Sequence, residues 1–530
     1  MNMNKMKKWQ KTSPKNKDYV VTDEYKDKII QSARIGKRGF TILKSELDPG
    51  DLQFLKTDLH VKPQNFSIKS NAADSKPFSV FRENDKKIYI PRFYGIERYG
   101  LPKKFDISCG DSISLEFPKT LRDYQTNIVN VYMKYVDRPI CDCENAFQGY
   151  GGILEVPCGR GKTVMALKII SLIQKKTLII VHKEFLMNQW IERIEEFLPG
   201  ARVGKIQGPI FDVENKDIVI GMLQTLYDKE FLLDSFSSFG MTIVDEVHRI
   251  GSEQFSKTLF KTVTPYMLGI SATVDRKDNL TNVLYMFIGK KIYSEEREDE
   301  DPVVVQALQY KTNDDDFNDV LLDYAGNPKY SSMISKISNY GPRSDFILKV
   351  MKSLVNQYPE SQVMVLCHNR SMLTYFYDAI SHQEFATVGY YVGGMKQKDL
   401  QETETKQIVL ATYAMAAEAL DIKTLSILIM ASPKTDITQS VGRILRVKHE
   451  HPIIVDIVDG HEMYQNQWNR RRLFYKKCNY RILQSDSNKY NNELTDWKVL
   501  FEPKDKGQKI EEEPEKIGFG KCVIDVSQFN

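Results

Sequence analysis

The sequence predicts an α/β protein with two parallel-sheet lobes in tandem, preceded by a small α+β accessory domain. Three observations lead there. Over residues 117–295, short apolar runs of strand character alternate with stretches of helical apolar spacing, and a second such series runs over 341–485. Strands that alternate with helices imply a parallel sheet covered on both faces. A glycine-rich loop, Val156-Pro157-Cys158-Gly159-Arg160-Gly161-Lys162-Thr163, directly follows the apolar stretch Gly152-Ile153-Leu154-Glu155 of the first series, and the second series has no counterpart. Two similar lobes with one such loop suggest a ligand in the cleft between them.

At 530 residues and 42% hydrophobic content, the chain suits two or three domains with sizeable cores. No apolar run approaches membrane-spanning length. The net charge of +4 neither demands nor excludes nucleic acid. The seven cysteines are scattered, with no paired zinc framework, which points to a reducing compartment. Cys141-Asp142-Cys143 reads as a chance pair in a loop rather than a metal or redox site.

Residues 1–116 form the accessory block. Met1 to Lys17 is rich in Lys and Asn, is expected to fray, and has no apolar segment of a secretory signal. Lys86 to Gly95 reads as a strand with a proline stop. Nothing in this block assigns it a chemistry.

In the first lobe, 117–295, strands are expected at Ile153–Val156, Leu178–Val181, Ile218–Ile220, Thr242–Val244 and Leu268–Ser271. Phe185–Leu198 carries Leu186, Trp190, Ile194 and Phe197 at near-helical spacing. Gly159 and Gly161 let the backbone curl and aim N–H groups at phosphate oxygens. The apolar helix that follows, Val164 to Ile173, adds its N-terminal partial charge. Lys162 can then reach the outer phosphates and the Thr163 hydroxyl can ligate Mg²⁺. The bland alternative is a glycine turn that happens to precede Lys-Thr.

Met241 to His248 runs four residues of strand character into two carboxylates. Strand C-termini of a parallel sheet converge on the ligand crevice. There Asp245 would hold Mg²⁺, directly or through water, and Glu246 would polarise an attacking water. The alternative is an acidic strand end capping a helix. The order, loop first and carboxylates second on a strand-helix-strand chain, favours the chemical reading.

Residues 296–340, bracketed by acidic stretches, read as a linker or insertion. The second lobe, 341–485, has strands expected at Val363–Cys367, Val388–Val392, Ile408–Leu410, Ile427–Met430 and Ile453–Ile457. Asn469 to Lys477 mixes cations with aromatics. It reads equally as a nucleic-acid contact or as an amphipathic helix with a solvated basic face. The extension 486–530 holds a charged stretch, Lys504 to Glu515, expected to be mobile.

With these blocks in place the chain resembles the superfamily 2 helicases, whose motifs appear in order over residues 117–450. Leu121-Arg122-Asp123-Tyr124-Gln125 is similar to the element that contacts adenine, with Gln125 as its reader. Pro157, Cys158, Gly159, Arg160, Gly161, Lys162 and Thr163 match the phosphate loop, and Asp245-Glu246-Val247-His248 the box behind it. Val181-His182-Lys183-Glu184-Phe185-Leu186, followed by Gln189-Trp190, and Met222-Leu223-Gln224-Thr225-Leu226 resemble strand-contact motifs, placing His182, Lys183 and Thr225 near nucleic acid. Ser271-Ala272-Thr273 resembles the motif that couples hydrolysis to lobe movement. Thr412 and Asp421 fall in one that joins nucleotide to nucleic acid in the second lobe. Gln439 to Arg446 resembles the arginine-finger motif. Arg443 and Arg446, three apart, share a helix face and would meet the γ-phosphate across the cleft. Such an arginine raises the rate by about 10³-fold or more. Hydrolysis would then require lobe closure.

The resemblance implies two RecA-like lobes. Through Asp245 to His248, His182 to Leu186 and Thr273-Val274-Asp275-Arg276-Lys277-Asp278 it is nearest the XPB-like branch, and through Tyr89-Ile90-Pro91-Arg92 and its length it resembles the transcript-release helicases of poxviruses and other large cytoplasmic DNA viruses. Where that branch has Arg-Glu-Asp, this chain has Arg276-Lys277-Asp278, which reverses one charge. The implied protein is an ATP- and Mg²⁺-dependent motor on DNA or a DNA–RNA hybrid in viral transcription, moving 3′ to 5′. Its partners would be nucleic acid and RNA polymerase or transcription factors, with no membrane. It would be a monomer in the host cytoplasm and the virion. Two other readings stand beside it, a duplex remodeller that does not separate strands and a non-enzymatic ATP-binding subunit. The second would show degraded loop and carboxylate residues, yet Lys162, Thr163, Asp245, Glu246 and Arg443 are all present.

Overall fold

The structure, a computed structural model, describes residues 19–63, 77–144, 146–157, 159–247, 253–272, 274, 280–295, 303–418, 422, 424–435, 437, 441, 452–503 and 521–522. It divides into two compact units. One comprises Met1–Val156, Lys162–Glu295 and Gly520–Asn530, and the other Pro157–Gly161 and Glu296–Phe519.

The first unit opens with the accessory block. Its sheet runs, in spatial order, Arg82–Glu83, Lys87–Ile90, Gly39–Leu43, Arg34–Gly36 and Lys104–Phe105, antiparallel except for the last pair. Helices Asp23–Ser32, Pro49–Asp58 and Arg92–Tyr99 complete an α+β block. Its apolar residues, Phe40, Ile42, Ile88 and Phe93 among them, share one core with Ile153, Leu178 and Val244 of the neighbouring lobe. The seam is closed by Arg92, which is only 3% exposed. Its guanidinium donates to the carbonyls of Thr264 (3.0 Å), Pro265 (2.7 Å) and Gly149 (2.7 Å). Burial pulls its pKa down to about 10.

The lobe that follows has a sheet in the order Ile210–Phe211, Val203–Gln207, Ile218–Met222, Thr177–Val181, Met241–Asp245, Tyr266–Ser271, Gly151–Glu155, Lys291–Ser294 and Lys521–Cys522. Only the two outermost strands are antiparallel to their neighbours. The central strands Thr177–Val181 and Met241–Asp245 are buried at every residue. That is why they read as unbroken apolar runs, since helices cover both faces of a parallel sheet. Helix Glu184–Phe197 turns Leu186, Met187, Trp190 and Ile194 inward.

The second unit is built on a sheet in the order Val388–Tyr391, Ile408–Thr412, Gln362–Cys367, Leu425–Met430, Ile453–Asp459, Val304–Tyr310, Arg481–Asp486 and Lys498–Phe501, parallel but for the final strand. Both sheets are thus the RecA-like lobes expected. The segment 296–340 is a correction. Rather than a linker, it supplies Val304–Tyr310, an interior strand lying between Ile453–Asp459 and Arg481–Asp486. Polar Gln306 and Gln309 break its apolar run, and only four of its residues are buried. The second sheet also extends beyond residue 485, through Lys498–Phe501.

Asn469 to Lys477 lies in helix Glu462–Lys477, which buries Tyr464, Trp468, Arg471 and Tyr475 along one face. Arg471 pairs with Asp456 through Nε (2.7 Å) and Nη2 (2.8 Å). The stretch is thus part of an amphipathic helix with one of its cations inside. Cys141 and Cys143 lie with their sulfur atoms side by side. The stretches Met1 to Lys17 and Lys504 to Glu515 lie outside the described residues.

Candidate active site

Strand Gly151–Glu155 ends at the glycine loop. Gly159 (φ 83°) and Gly161 (φ 80°) take left-handed backbone conformations that other residues rarely adopt. This is the curled loop expected from the sequence. The chain then enters helix Lys162–Ile173, so that Lys162 and Thr163 stand in its first turn. Thr163 is half-buried there.

Two strands away, Met241–Asp245 ends on the carboxylates. Lys162 Nζ meets Glu246 Oε1 at 3.2 Å, with the side chains 13% and 21% exposed. Glu246 sits at φ 51°, an uncommon conformation for a residue with a side chain. Such strain is typical of a position that the surroundings hold for function. Asp245 accepts the Glu246 backbone N–H on Oδ1 (2.9 Å) and Trp190 Nε1–H on Oδ2 (2.9 Å). Burial, then the negative charge of Glu246, pushes the Asp245 pKa up to about 6. Lys162 and the two hydrogen bonds act in the opposite direction.

This donor set fits a nucleotide with its cation. A lysine at a helix start suits phosphate oxygens. Mg²⁺ needs only one or two protein oxygens besides phosphates and waters, which Thr163 and Asp245 would supply. Among the described residues there is no cluster of three or more His, Cys, Asp or Glu that would form a separate metal cage.

The remaining expected residues are distributed as follows. Gln125 is buried, and its Oε1 accepts the Arg122 N–H (3.1 Å), closing the N-terminus of helix Asp123–Val136. The His182 carbonyl accepts from Gln224 Nε2 (3.0 Å), which ties the two strand-contact motifs together. Lys183 stands at the N-cap position of helix Glu184–Phe197. The Thr225 hydroxyl accepts the Gly208 N–H at 3.0 Å. Ser271 is buried at the end of its strand, and its carbonyl accepts the Val156 N–H (2.8 Å). Its strand neighbour Ile270 is paired with Asp245, so the strand ends beside the carboxylates. Thr412 closes strand Ile408–Thr412 in the second unit. Cys158, Thr273, Asp421, Arg443 and Arg446, with the Arg276-Lys277-Asp278 triplet, lie outside the described residues.

The sequence reading put Trp190 in a strand-contact motif and on the apolar face of its helix, and missed its place beside Asp245. The available signal was chemical, because a buried indole needs an acceptor for its N–H.

A curled glycine loop opening a helix, with paired carboxylates on a nearby strand end of a parallel sheet, defines a nucleotide hydrolase of the phosphate-loop class. Comparison with known proteins narrows this. Residues 118–276 match the family "Type III restriction enzyme, res subunit", and residues 346–448 the "Helicase conserved C-terminal domain". The chain is 32% identical over 468 residues to the "Putative ATP-dependent RNA helicase" of Acanthamoeba polyphaga mimivirus, covering 85% of this chain and 86% of that one. It is 27% identical over 400 residues to the protein of the same description from African swine fever virus, covering 70% of this chain and 74% of that one. Over 212 residues it is 30% identical to the "DNA 3'-5' translocase XPB2" of Sulfurisphaera tokodaii, covering 38% of this chain and 43% of that one. The chain belongs to the superfamily 2 helicases, in the XPB-like group found in large DNA viruses. It is an ATP-hydrolysing enzyme that acts on nucleic acid.

Proposed function

We propose that this helicase drives itself along DNA or a DNA–RNA hybrid during viral transcription, to release or extend transcripts. The observation that carries the motor chemistry is the Lys162–Glu246 contact beside buried, Trp190-anchored Asp245. Lys162 binds the outer phosphates, and in doing so leaves Glu246 available to orient a water. Asp245 and Thr163 would hold Mg²⁺, which would supply positive charge against the phosphates. The backbone of Pro157, Cys158, Gly159, Arg160 and Gly161 cradles the phosphates, while Gln125 and Asp421 complete the nucleotide contacts. Arg443 and Arg446 neutralise the transferring phosphoryl group. Thr225, His182, Lys183 and Thr412 follow the strand.

The DNA substrate is supported by the translocase named among the relatives, and the link to RNA by the viral relatives' descriptions. On this reading the protein works as a monomer with RNA polymerase or transcription factors, in the host cytoplasm and the virion. No described helix is long and apolar enough to cross a membrane.

The test is the ATPase rate with single-stranded DNA, duplex DNA and RNA, paired with displacement of a 3′-tailed strand from DNA and from a DNA–RNA hybrid. Stimulation by DNA together with displacement is the expected result. Duplex-stimulated hydrolysis without displacement would establish a remodeller instead, and stimulation by RNA alone would overturn the DNA assignment.

A further inference from the structure

Between strand Val304–Tyr310 and helix Tyr330–Ser338 the chain carries an apolar run that no described part of the fold covers. Val320, Leu321 and Leu322 are 39%, 42% and 52% exposed, and Tyr324 is exposed in full. The backbone beneath them is nevertheless fixed. Leu322 bridges Pro328 across a tight hairpin. The Leu321 carbonyl accepts the Lys329 N–H (2.8 Å), and the Asn327 carbonyl accepts the Asp323 N–H (2.7 Å). Inside the turn, Asp323 Oδ1 accepts the N–H groups of Ala325 (2.9 Å) and Asn327 (2.8 Å), and Gly326 supplies the left-handed residue (φ 78°). At the root, Phe317 is buried in the core of the second unit, and buried Met333 accepts the Leu321 N–H on Sδ (3.2 Å). The Asp319 carbonyl accepts Lys336 Nζ (2.8 Å).

A contiguous exposed apolar run marks an interaction surface. A backbone already locked lowers the ordering cost of binding. The charge around the run selects the kind of partner. Asp315, Asp316 and Asp319 are exposed and form no ion pair among the described residues. No lysine or arginine occurs from 312 to 328. Such a surface repels nucleic-acid phosphates, whereas a polypeptide with Lys or Arg beside apolar side chains complements both of its features. Length narrows the partner further. The run from 320 to 324 spans at most about 16 Å at ~3.3 Å per residue, which matches about three turns of an α-helix at ~5.4 Å each.

We propose that the Val320–Tyr324 hairpin is a docking site for a basic amphipathic helix of a protein partner. The helix lays its apolar stripe on Leu322 and Tyr324, and its flanking Lys and Arg side chains meet Asp315, Asp316 and Asp319. The inference does not depend on the helicase reading, since none of these residues belongs to the ATP site or to the strand-contact motifs.

The probe is a synthetic helix of about 18 residues, long enough to fold on a surface, with Leu on one face and Lys on the other. A control helix carries Glu in place of Lys. Fluorescence anisotropy measures binding to the full-length wild type, to the double variant Leu322→Ser with Tyr324→Ser, and to the triple variant Asp315→Asn, Asp316→Asn, Asp319→Asn. DNA affinity, basal ATPase and melting temperature are measured on the same preparations. The Leu/Lys helix should bind wild type at least about tenfold more tightly than it binds the double variant, because two apolar side chains lose their burial. The triple variant should bind about fivefold more weakly than wild type and lose most of the salt dependence. The Leu/Glu helix should bind wild type at least about tenfold more weakly than the Leu/Lys helix. DNA affinity and basal ATPase should not change. Failure of the Leu/Lys helix to bind wild type, equal affinity for the double variant, or equal binding of the Leu/Glu helix would overturn the proposal. A double variant that loses DNA affinity while keeping its ATPase would make the hairpin a nucleic-acid element and would also overturn it. Should the double variant melt early, the triple variant decides, with weaker binding supporting the proposal and unchanged binding overturning it.

Discussion

Replacing Trp190 by Phe removes one atom group from the site, the indole N–H that donates to Asp245 Oδ2 at 2.9 Å, and keeps an aromatic ring on the inner face of the helix. Both partners are buried, at 1% and 7% exposure, so water cannot easily replace the lost donor. A hydrogen bond to a charged group is worth about 1.5–3 kcal/mol, and one pH unit corresponds to about 1.4 kcal/mol. The indole favours the ionised carboxylate, so its loss raises a pKa that burial and Glu246 already push up to about 6. The ionised form is the one that holds a cation. Activity is therefore lost as pH falls through that value, and the acid limb of the variant moves up by about one pH unit from the low end of the range. At pH 7 the variant should work at about half the wild-type kcat/KM, with the deficit growing below that and vanishing near pH 8.5. The assay is the pH profile of kcat/KM for ATP, which reports the free enzyme. A uniform loss at every pH, with the limb unmoved, would show that Trp190 acts through packing alone.

Other outcomes follow from the proposed function. Lys162→Ala should weaken ATP binding at least tenfold, while Glu246→Gln should bind ATP normally and turn over about 10²-fold or more slowly; equilibrium binding and single-turnover assays separate the two. Arg443→Ala should abolish hydrolysis without changing the melting temperature, and a variant that melts early but keeps its specific activity would make this arginine structural. Nucleic-acid affinity should fall steeply with salt and show little base preference, since a motor must hold phosphates on any sequence; a short preferred sequence maintained at high salt would contradict it. Arg92→Met should destabilise the protein by about 3 kcal/mol, because three carbonyls lose their donor; unfolding in denaturant measures this, and an unchanged midpoint would refute it.

Much of the fold was legible because a parallel sheet covered on both faces writes its strands as continuous apolar runs. Thr177–Val181, Met241–Asp245 and Ile453–Asp459 are buried throughout, and all three stood out in the sequence. Val304–Tyr310 is interior to its sheet but alternates, with Gln306 and Gln309 in the run, and acidic neighbours on both sides gave it the look of a connector. Arg481–Asp486 carries polar residues at both ends and escaped notice for the same reason. At the site, the residues that make local patterns were readable, namely the glycines, Lys162, Asp245 and Glu246. The contacts that come from far along the chain were not. Trp190 lies 55 residues from Asp245, and Glu155 lies 119 from Val274. No periodicity links such pairs, and only the unmet donor of an indole or the burial of a carboxylate signals that a partner exists.

The same difficulty applies to basic residues, where charge counting pointed outward and the structure points inward. Arg92, Arg343 and Arg471 are all buried. Arg343 is fully enclosed, with Nε and Nη2 on the two oxygens of Asp459 (2.5 and 2.8 Å) and Nη1 on the Ala431 carbonyl (2.9 Å). Arg471 repeats this design with Asp456 and the Lys434 carbonyl, with Tyr475 as a further donor to Asp456. In both, the acid belongs to strand Ile453–Asp459, three residues apart and hence on opposite faces of the sheet. One strand thereby anchors helix Gly341–Gln357 on one side and helix Glu462–Lys477 on the other. The planar guanidinium suits this role because it meets a carboxylate with two parallel bonds and still has a donor left for a carbonyl. Taking away either partner would strand a buried charge, at about 3–5 kcal/mol. These arginines therefore fix helix position within the second unit. The cations of helix Glu462–Lys477 left facing solvent are Arg470, Lys476 and Lys477.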